Sequence, residues 1–329
     1  MGSPLPFPVM PGSLPNLADV VAARDRIAAR VVRTPLLNRT IAGRQVWLKA
    51  EVLQRTGSFK IRGALNFIGS LDESVRRNGV VAYSSGNHAQ GVADAAAEYG
   101  VPATIVMPAD APSIKLGNTR GYGATVVEYD RATGNREQIA ADIAAESGAT
   151  VLPPYDHPLT IAGQGVLGLE VMEDLAAANV TEANLVVPVS GGGLAAGIAL
   201  AAESAGPRLH LYSAEPETHD DHRRSLQAGE RVEIHPESPS ICDALLVLIP
   251  GEITFEVNRS RLAGGLVASD DEVLGAMRFA FEDLKLVVEP GGAIALATLL
   301  AGRVPGDGPV VVVLSGGNVD PALMARAIA

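Results

Sequence analysis

Residues 185–203 read LVVPVSGGGLAAGIALAAE, and this stretch contains the unit from which the rest of the chain is built. Its apolar run Leu185–Val189 predicts a buried strand, and the Ala-rich run Ala195–Glu203 predicts a helix. Three glycines join the two. Because a short apolar run followed by a helix recurs along the chain, we predict an α/β fold with parallel sheets covered by helices on both faces.

Seven further strands follow the same pattern. They are predicted at Val46–Ala50, Val80–Ser84, Ala103–Met107, Ala124–Tyr129, Thr150–Leu152, Leu209–Ala214 and Val310–Leu314. The other predicted helices are His88–Glu98, Glu137–Ser147, Ile161–Leu175, Asp270–Leu284 and Ala293–Leu300. Four of the strands are crowded into residues 80–152. We therefore predict a small inserted lobe, residues 70–157, and a large lobe formed by residues 1–69 and 158–329.

The composition excludes several classes of protein. A formal charge of −11 over 329 residues supplies no basic face for nucleic acid. The single cysteine, Cys242, excludes an intramolecular disulfide and a cysteine-cluster metal site. No run approaches the roughly 20 apolar residues that span a bilayer, and the proline-rich residues 1–8 do not resemble a signal peptide. We expect a cytoplasmic protein that binds neither membrane nor nucleic acid.

The first segment with a candidate reactive side chain is TGSFKIRGA, residues 56–64, which places Lys60 between glycines. Burial would lower the pKa of such a lysine and make its amine a nucleophile and a base. The alternative is an ordinary exposed lysine. The second segment is SSGNHAQG, residues 84–91, between a strand and a helix. Its free N–H groups suit an anion such as a carboxylate, and the alternative is simple helix capping by Ser85 or Asn87.

Two more segments follow strands. In Ser190–Leu194, consecutive glycine N–H groups can surround a phosphate at the start of a helix. The same glycines fit a loose dinucleotide fingerprint, with Glu215 at the end of the next strand, so a nicotinamide enzyme is an open alternative here. In SGGN, residues 315–318, the Ser315 hydroxyl can face a heteroaromatic ring nitrogen, or the segment is an ordinary turn.

Together and in this order, the four segments resemble the fold-type II enzymes that use pyridoxal 5′-phosphate (PLP), and more narrowly the threonine/serine dehydratase and serine racemase group. PPYD (residues 153–156), IAGQG (161–165) and EPGGA (289–293) follow the same family order. The resemblance covers roughly residues 30–320 and implies a two-lobed fold like that of the tryptophan synthase β subunit. It disfavours the dinucleotide interpretation, which explains neither Lys60 nor the asparagine turn.

The resemblance implies a role for each segment. Lys60 would carry PLP as a Schiff base and then remove the substrate Cα proton. Phe59 would pack beside the cofactor ring, Asn87 would contact the ring hydroxyl, and Ser315 would meet the pyridine nitrogen. The phosphate would lie on Ser190, Gly191, Gly192, Gly193 and Leu194. The amino-acid substrate would contact Ser84, Ser85, Asn87, His88 and Arg136.

These roles imply β-elimination of a β-hydroxy amino acid such as L-threonine or L-serine, which gives a 2-oxo acid and ammonia. A neutral hydroxyl at Ser315 leaves the cofactor a weaker electron sink, which favours loss of a β-leaving group. Ser85 matches the serine that handles a proton on the opposite face in the racemases, so amino-acid racemisation is an alternative. A PLP-binding protein without turnover is a third possibility.

Arg136 raises a further alternative, because an arginine pairs well with the second carboxylate of 3-hydroxyaspartate. A hydroxyaspartate dehydratase that gives oxaloacetate would need such a group, whereas a surface helix arginine would need no partner. The segment Ser240–Ala244 departs from the Ala-Asp-Gly run of related threonine dehydratases and leaves the substrate open. The resemblance also implies a homodimer.

The loop EPETHDD, residues 215–221, resembles a divalent-metal loop of serine racemase-like enzymes. The carboxylates of Glu215 and Asp221 and the backbone carbonyl of His219 would bind the ion. Hard oxygen ligands of this kind suit Mg²⁺ or Ca²⁺. The alternative is a solvated acidic helix start, which the helix dipole would favour.

Overall fold

The strand Val310–Leu314 lies inside the larger of two sheets, and each of its five residues is fully buried. Successive side chains of a strand point to opposite faces. Val310, Val312 and Leu314 accordingly enter one hydrophobic cluster, and Val311 and Val313 enter another. Helices cover both faces, which is why the sequence here is a continuous apolar run.

The computed structural model describes residues 14–111 and 113–329. The proline-rich start, on which the expectation about a signal peptide rests, lies outside these residues, as does the beginning of the predicted large lobe. The strands are β1 (Leu36–Ile41), β2 (Arg44–Ala50), β3 (Val80–Tyr83), β4 (Ala103–Pro108), β5 (Thr125–Tyr129), β6 (Thr150–Val151), β7 (Glu182–Pro188), β8 (Arg208–Pro216), β9 (Leu262–Ala268) and β10 (Val310–Leu314).

The helices surround these strands. They are α1 (Leu17–Ile27), α2 (Lys60–Ser70), α3 (Glu73–Arg76), α4 (Asn87–Tyr99), α5 (Ser113–Gly121), α6 (Arg136–Ser147), α7 (Pro158–Ala177), α8 (Gly193–Ala201), α9 (Asp221–Ala228), α10 (Glu252–Asn258), α11 (Asp270–Phe279), α12 (Pro290–Leu300) and α13 (Pro321–Ile328). A 3₁₀ turn follows β2 at Glu51–Leu53, and a π turn continues α11 at Ala280–Leu284.

The strands form two sheets. The six-stranded sheet has the order β1-β2-β10-β7-β8-β9, and the four-stranded sheet has the order β5-β4-β3-β6. Every pairing is parallel except that of β1 with β2. The predicted α/β fold with parallel sheets is therefore confirmed. The whole four-stranded sheet lies within residues 70–157, the predicted inserted lobe, although the lobe boundaries themselves stay predictions.

The two strands that the sequence did not reveal, β1 and β9, lie at the two edges of the six-stranded sheet. Three consecutive residues of β1, Asn38–Thr40, are exposed. β9 contains Gly264 and Gly265 and is mostly half-buried. Edge strands are covered less fully than central ones, so they carry no continuous apolar run.

Helices α2, α7 and α8 approach each other closely because glycines lie at their contacts. A Cβ atom on Gly163 of α7 would lie 2.5 Å from the carbonyl oxygen of Arg62 in α2. A Cβ atom on Gly165 would lie 2.7 Å from the carbonyl oxygen of Gly197 in α8. Neither position has room for a larger residue. This packing fixes the first turn of α2, where Lys60 lies, relative to the first turn of α8. Among the described residues, no helix is both long and apolar enough to cross a membrane.

A cluster of four buried charges lies behind the first turn of α2. The Arg62 guanidinium donates to both oxygens of Glu51, at 2.8 and 2.9 Å, and to both oxygens of Glu170, at 2.8 and 2.9 Å. Lys49 donates to Glu170 at 2.5 Å and to the backbone oxygen of Thr34 at 2.8 Å. Two cations and two carboxylates thus balance each other in the interior, and each carboxylate has a cationic partner.

We expect Arg62→Met to lower the free energy of unfolding by about 3–5 kcal/mol, because Glu51 and Glu170 would keep their charges without a compensating guanidinium. Denaturant unfolding measures the change. The control is Arg259→Met, whose pair with Glu256 is exposed and contributes about 0–1 kcal/mol. Equal losses in the two variants would contradict the importance of the cluster.

Candidate active site

Three polar segments meet at one edge of the six-stranded sheet. β2, β10 and β7 are parallel neighbours, so the segments that follow them emerge side by side. The Lys60 segment follows β2, Ser315 follows β10, and the glycine turn Ser190–Gly192 follows β7.

A cavity of about 390 Å³ opens at this edge, and all the predicted cofactor and substrate residues line it. They are Phe59, Lys60, Ser84, Ser85, Asn87, His88, Arg136, Ser190, Gly191, Gly192, Gly193, Leu194 and Ser315. Residues separated by up to 256 positions in the chain are thereby brought to one site.

Lys60 is the first residue of α2, and its Nζ donates a hydrogen bond to the Pro154 carbonyl oxygen at 2.8 Å. Burial lowers the pKa of Lys60 to about 8, while the Glu289 carboxylate opposes that shift. Nζ lies 5.2 Å from the centre of the Phe59 ring. The structure does not support the alternative of an ordinary exposed lysine, since Lys60 is half-buried and lines the cavity.

The segment before Lys60 is fixed to the turn that follows β10. Ser58 forms an antiparallel bridge with Gly316, and the Phe59 N–H donates to the Ser315 carbonyl oxygen at 3.1 Å. The Gly317 N–H donates to the Gly57 carbonyl oxygen at 2.9 Å. Gly57 has a φ of +71°, which a larger residue rarely adopts. These bonds hold Lys60 and Ser315 beside each other.

Asn87 lies at the start of α4 in a chain of polar contacts. Its side chain donates to Glu289 Oε1 at 2.5 Å and accepts from Asn318 Nδ2 at 2.8 Å. Helix α4 begins after Gly86, and neither Ser85 nor Asn87 caps it. Simple capping therefore does not explain the turn. The Ser84 hydroxyl instead accepts the Gly86 N–H at 3.2 Å.

His88 is buried, and its Nε2 lies 3.0 Å from the carbonyl oxygen of Leu152, which can only accept. Nε2 therefore carries the proton. Burial, and next the charge of Lys60, lower the pKa of His88 to about 3. This imidazole stays neutral, so it offers a dipole and not a positive charge to the cavity.

The glycine turn is the predicted phosphate cradle. Within residues 14–111 and 113–329, no side chain caps α8 or accepts from the N–H groups of its first turn. A Cβ atom on Gly191 would overlap the Tyr155 ring, and Gly192 has a φ of +93°. An uncapped helix start with this backbone shape suits a phosphate, and an amine lies in the same cavity. The residues therefore fit PLP.

Seven polar or charged lining residues have no predicted role. They are Tyr83, Lys115, Arg131, Tyr155, Gln164, Asp243 and Glu289. Tyr155, Gln164 and Glu289 belong to segments that follow the same order as in the resembled family but carry no predicted role. Burial, and next the charge of Asp243, raise the pKa of Glu289 to about 7. Its carboxyl group therefore changes charge in the same pH range as Lys60.

The acidic loop lies apart from the cavity. Glu215 is fully buried and accepts the N–H groups of His222 and Arg223, each at 2.8 Å. It does not line the cavity, so the dinucleotide interpretation, which needs an acidic residue there, is not supported. Asp221 is also buried, at 1% exposure, and its Oδ2 atom has no hydrogen-bond partner among the described residues.

These observations make the alternative of a solvated acidic helix start wrong for this loop. Burial raises the pKa of Glu215, and Asp221 raises it further. Within residues 14–111 and 113–329, no group of three or more His, Cys, Asp or Glu side chains is arranged to hold a metal. The predicted metal ligands are not such a group, because they are two carboxylates and one backbone carbonyl. The unpartnered buried Oδ2 of Asp221 fits a cation as its missing partner.

The fold and the cavity define an α/β enzyme that binds a phosphorylated, amine-reactive cofactor at the carboxyl edge of a parallel sheet. The chain belongs to the family of pyridoxal-phosphate dependent enzymes, whose family model matches residues 27–316. The predicted family is thereby confirmed, and so is PLP as the cofactor.

Known proteins resemble nearly the whole chain. An L-threo-3-hydroxyaspartate ammonia-lyase of Saccharomyces cerevisiae is 42% identical over 93% of this chain and 94% of its own length. The crystal structure of a T.th. threonine deaminase has a TM-score of 0.86 at 43% identity, covering 93% of this chain and 99% of that one. Maize serine racemase has a TM-score of 0.88 at 35% identity, covering 96% and 97%.

We expect the cofactor-free chain to form a Schiff base with added PLP at a rate that rises through a pH of about 8, because only the neutral Lys60 amine attacks. Stopped-flow absorbance measures this rate. With an exposed lysine, the midpoint of the rate against pH would lie near the ordinary lysine pKa of about 10.4. The Lys60→Ala variant is the control and should not develop the absorbance band of a Schiff base. A midpoint above pH 10 for the wild type would contradict the lowered pKa.

Proposed function

We propose that the chain is an ammonia-lyase that eliminates water from a β-hydroxy α-amino acid and releases a 2-oxo acid and ammonia. Threonine and serine are candidate substrates, and 3-hydroxyaspartate, which would give oxaloacetate, is the one that we favour. The observation that carries this choice is that Lys60 and Arg136 line the same cavity. The name of the yeast relative supports it.

The cations of the cavity wall suit a second carboxylate. Lys115, Arg131 and Arg136 all line the cavity. Lys115 pairs with Asp243 at 2.7 Å, and Arg131 pairs with Asp110 at 3.1 Å. Arg136 has no carboxylate within 4.0 Å in the described part of the chain, and its guanidinium lies 5.7 Å from the centre of the Tyr83 ring. Arg136 is therefore the cation that can bind a substrate carboxylate without first losing a partner.

Lys60 is the base that removes the proton from the substrate α-carbon. Bound PLP draws electrons from the α-carbon of an attached amino acid, so that a base can remove the α-proton. Lys60 suits this task because its lowered pKa leaves about a tenth of the amine neutral at pH 7, far more than for an ordinary lysine. Ser315 offers a neutral hydroxyl at the predicted position of the ring nitrogen, which supports elimination as the outcome.

Racemisation is a second candidate, supported by Ser85. Ser85 follows β3 and lines the same cavity as Lys60 at the start of α2. Two proton-handling groups on separate elements are what inversion at the α-carbon needs, one for each face. The resemblance to maize serine racemase supports this candidate as well.

We expect Arg136→Gln to lower kcat/KM on L-threo-3-hydroxyaspartate by roughly 10- to 150-fold, which corresponds to about 1.5–3 kcal/mol for a lost hydrogen bond to a charged group. The rates on L-serine and L-threonine should change less than about threefold, because these substrates have no second carboxylate. A keto-acid assay measures all three substrates, and chiral analysis of D-serine detects any racemisation.

The matched control is Arg39→Gln, since Arg39 is exposed on β1 and does not line the cavity. It should leave all rates unchanged. Activity on serine and threonine alone, with none on any 3-hydroxyaspartate isomer, would reject the dicarboxylate preference while retaining the lyase. Production of D-serine without pyruvate would favour racemisation instead.

We also propose that a hard divalent cation, Mg²⁺ or Ca²⁺, binds at the acidic loop. The carboxylates of Glu215 and Asp221 and the His219 carbonyl oxygen would hold it. All three residues are buried, and the free Oδ2 of Asp221 supports the assignment. The ion would stabilise the loop after β8 and would take no part in proton transfer. The homodimer stays a prediction of the resemblance, and the cytoplasmic location stays a prediction from the composition.

We expect Mg²⁺ or Ca²⁺ at 100 times its Kd to stabilise the chain by about 2.7 kcal/mol and to raise Tm by a few degrees. Asp221→Asn should abolish the shift. Asp271→Asn, which changes an exposed carboxylate in the first turn of α11, is the control and should retain it. Differential scanning fluorimetry with added metal measures the shift, and no shift in the wild type would reject the site.

A further inference from the structure

The side-chain amide of Gln164 lies unpaired in the wall of the cavity. Gln164 has 0% exposure, and neither Nε2 nor Oε1 has a hydrogen-bond partner in the described part of the chain. A buried amide without a partner loses its bonds to water and gains none in return. An apolar residue of the same size would avoid that loss, so the amide points to a ligand that completes its hydrogen bonding.

Gln164 lies in the second turn of α7, next to the glycine turn. A Cβ atom built on Gly193 would lie 2.8 Å from Gln164 Oε1. The amide therefore reaches the first residue of α8, at the predicted phosphate cradle. Rotation about its last side-chain bond exchanges the oxygen and the NH₂ group, so the NH₂ group can face the cradle.

Two other side chains orient the N–H groups of the turn. Thr254 Oγ1 donates to the Gly191 carbonyl oxygen at 2.5 Å, and Asn258 Nδ2 donates to the Gly192 carbonyl oxygen at 3.2 Å. In a trans peptide the carbonyl and the following N–H point in opposite directions. The N–H groups of Gly192 and Gly193 are therefore turned away from Thr254 and Asn258.

We propose that Gln164 is a phosphate-binding residue, which donates its side-chain NH₂ to the PLP phosphate beside the backbone N–H groups of the glycine turn. The phosphate oxygens accept hydrogen bonds from every side, so a neutral donor on α7 complements the N–H groups at the start of α8. This role concerns cofactor binding and is independent of which amino acid is the substrate.

The test compares PLP with pyridoxal, which lacks the phosphate, on the full chain after its cofactor has been removed with hydroxylamine. We expect Gln164→Leu to raise the Kd of PLP about 10- to 100-fold, as for loss of a hydrogen bond to a charged group. The Kd of pyridoxal should change less than about threefold, since no phosphate contact is lost. Gln164→Glu should weaken PLP further, because its charge repels the phosphate.

The matched control is Gln90→Leu, since Gln90 is also a buried glutamine but does not line the cavity. It should leave the ratio of the two Kd values unchanged. An equal rise for PLP and pyridoxal in Gln164→Leu would show a structural role only, and no rise for either would remove the residue from the site. Both results would overturn the proposal.

Gln164→Met keeps the size of the side chain, and it replaces Gln164→Leu in the test if the leucine variant does not fold. The ³¹P resonance of bound PLP in the holoenzyme gives a second readout, independent of turnover. We expect it to shift in Gln164→Met and to stay in place in Gln90→Leu. An unchanged resonance in Gln164→Met would contradict a direct contact.

Discussion

The shared guanidinium of Arg62 is the constraint on which the geometry of the site depends. Arg62 lies on α2 two residues after Lys60, and it joins Glu51 at the end of β2 to Glu170 on α7. A buried ion pair adds little stability in comparison with well-packed apolar residues, but it tolerates few arrangements. Three elements are thus held at one orientation, and the glycine contacts between α2, α7 and α8 complete the alignment.

The same burial has opposite consequences for paired and unpaired charges. Arg62 and Glu51 neutralise each other, so both stay ionised in the interior. Lys60 and Glu289 face a cavity and form no salt bridge in the described part of the chain, and burial moves their pKa values to about 8 and about 7. The first arrangement provides rigidity, and the second provides groups that gain or lose protons near neutral pH. The site therefore combines a rigid framework with side chains that gain or lose protons near neutral pH.

The sequence predicts what is local and leaves out what depends on tertiary contact. β10 was evident because it is buried on both faces, whereas β1 and β9 were missed because they lie at edges with polar or glycine residues. Lys60, the glycine turn and Ser315 meet at one cavity because the parallel strands before them end on one edge. Glu289 and Gln164 belonged to recognised segments, but their contacts with Asn87 and the glycine turn span long distances in the chain.

The cofactor groups and the candidate specificity groups come from different parts of the chain. Lys60, the glycine turn and Ser315 belong to the six-stranded sheet and its helices, whereas Lys115 and Arg136 lie on α5 and α6 beside the four-stranded sheet. The pair Lys115–Asp243 spans the two parts at the cavity. Substitutions on α5 or α6 can alter the charge that meets the substrate without moving Lys60.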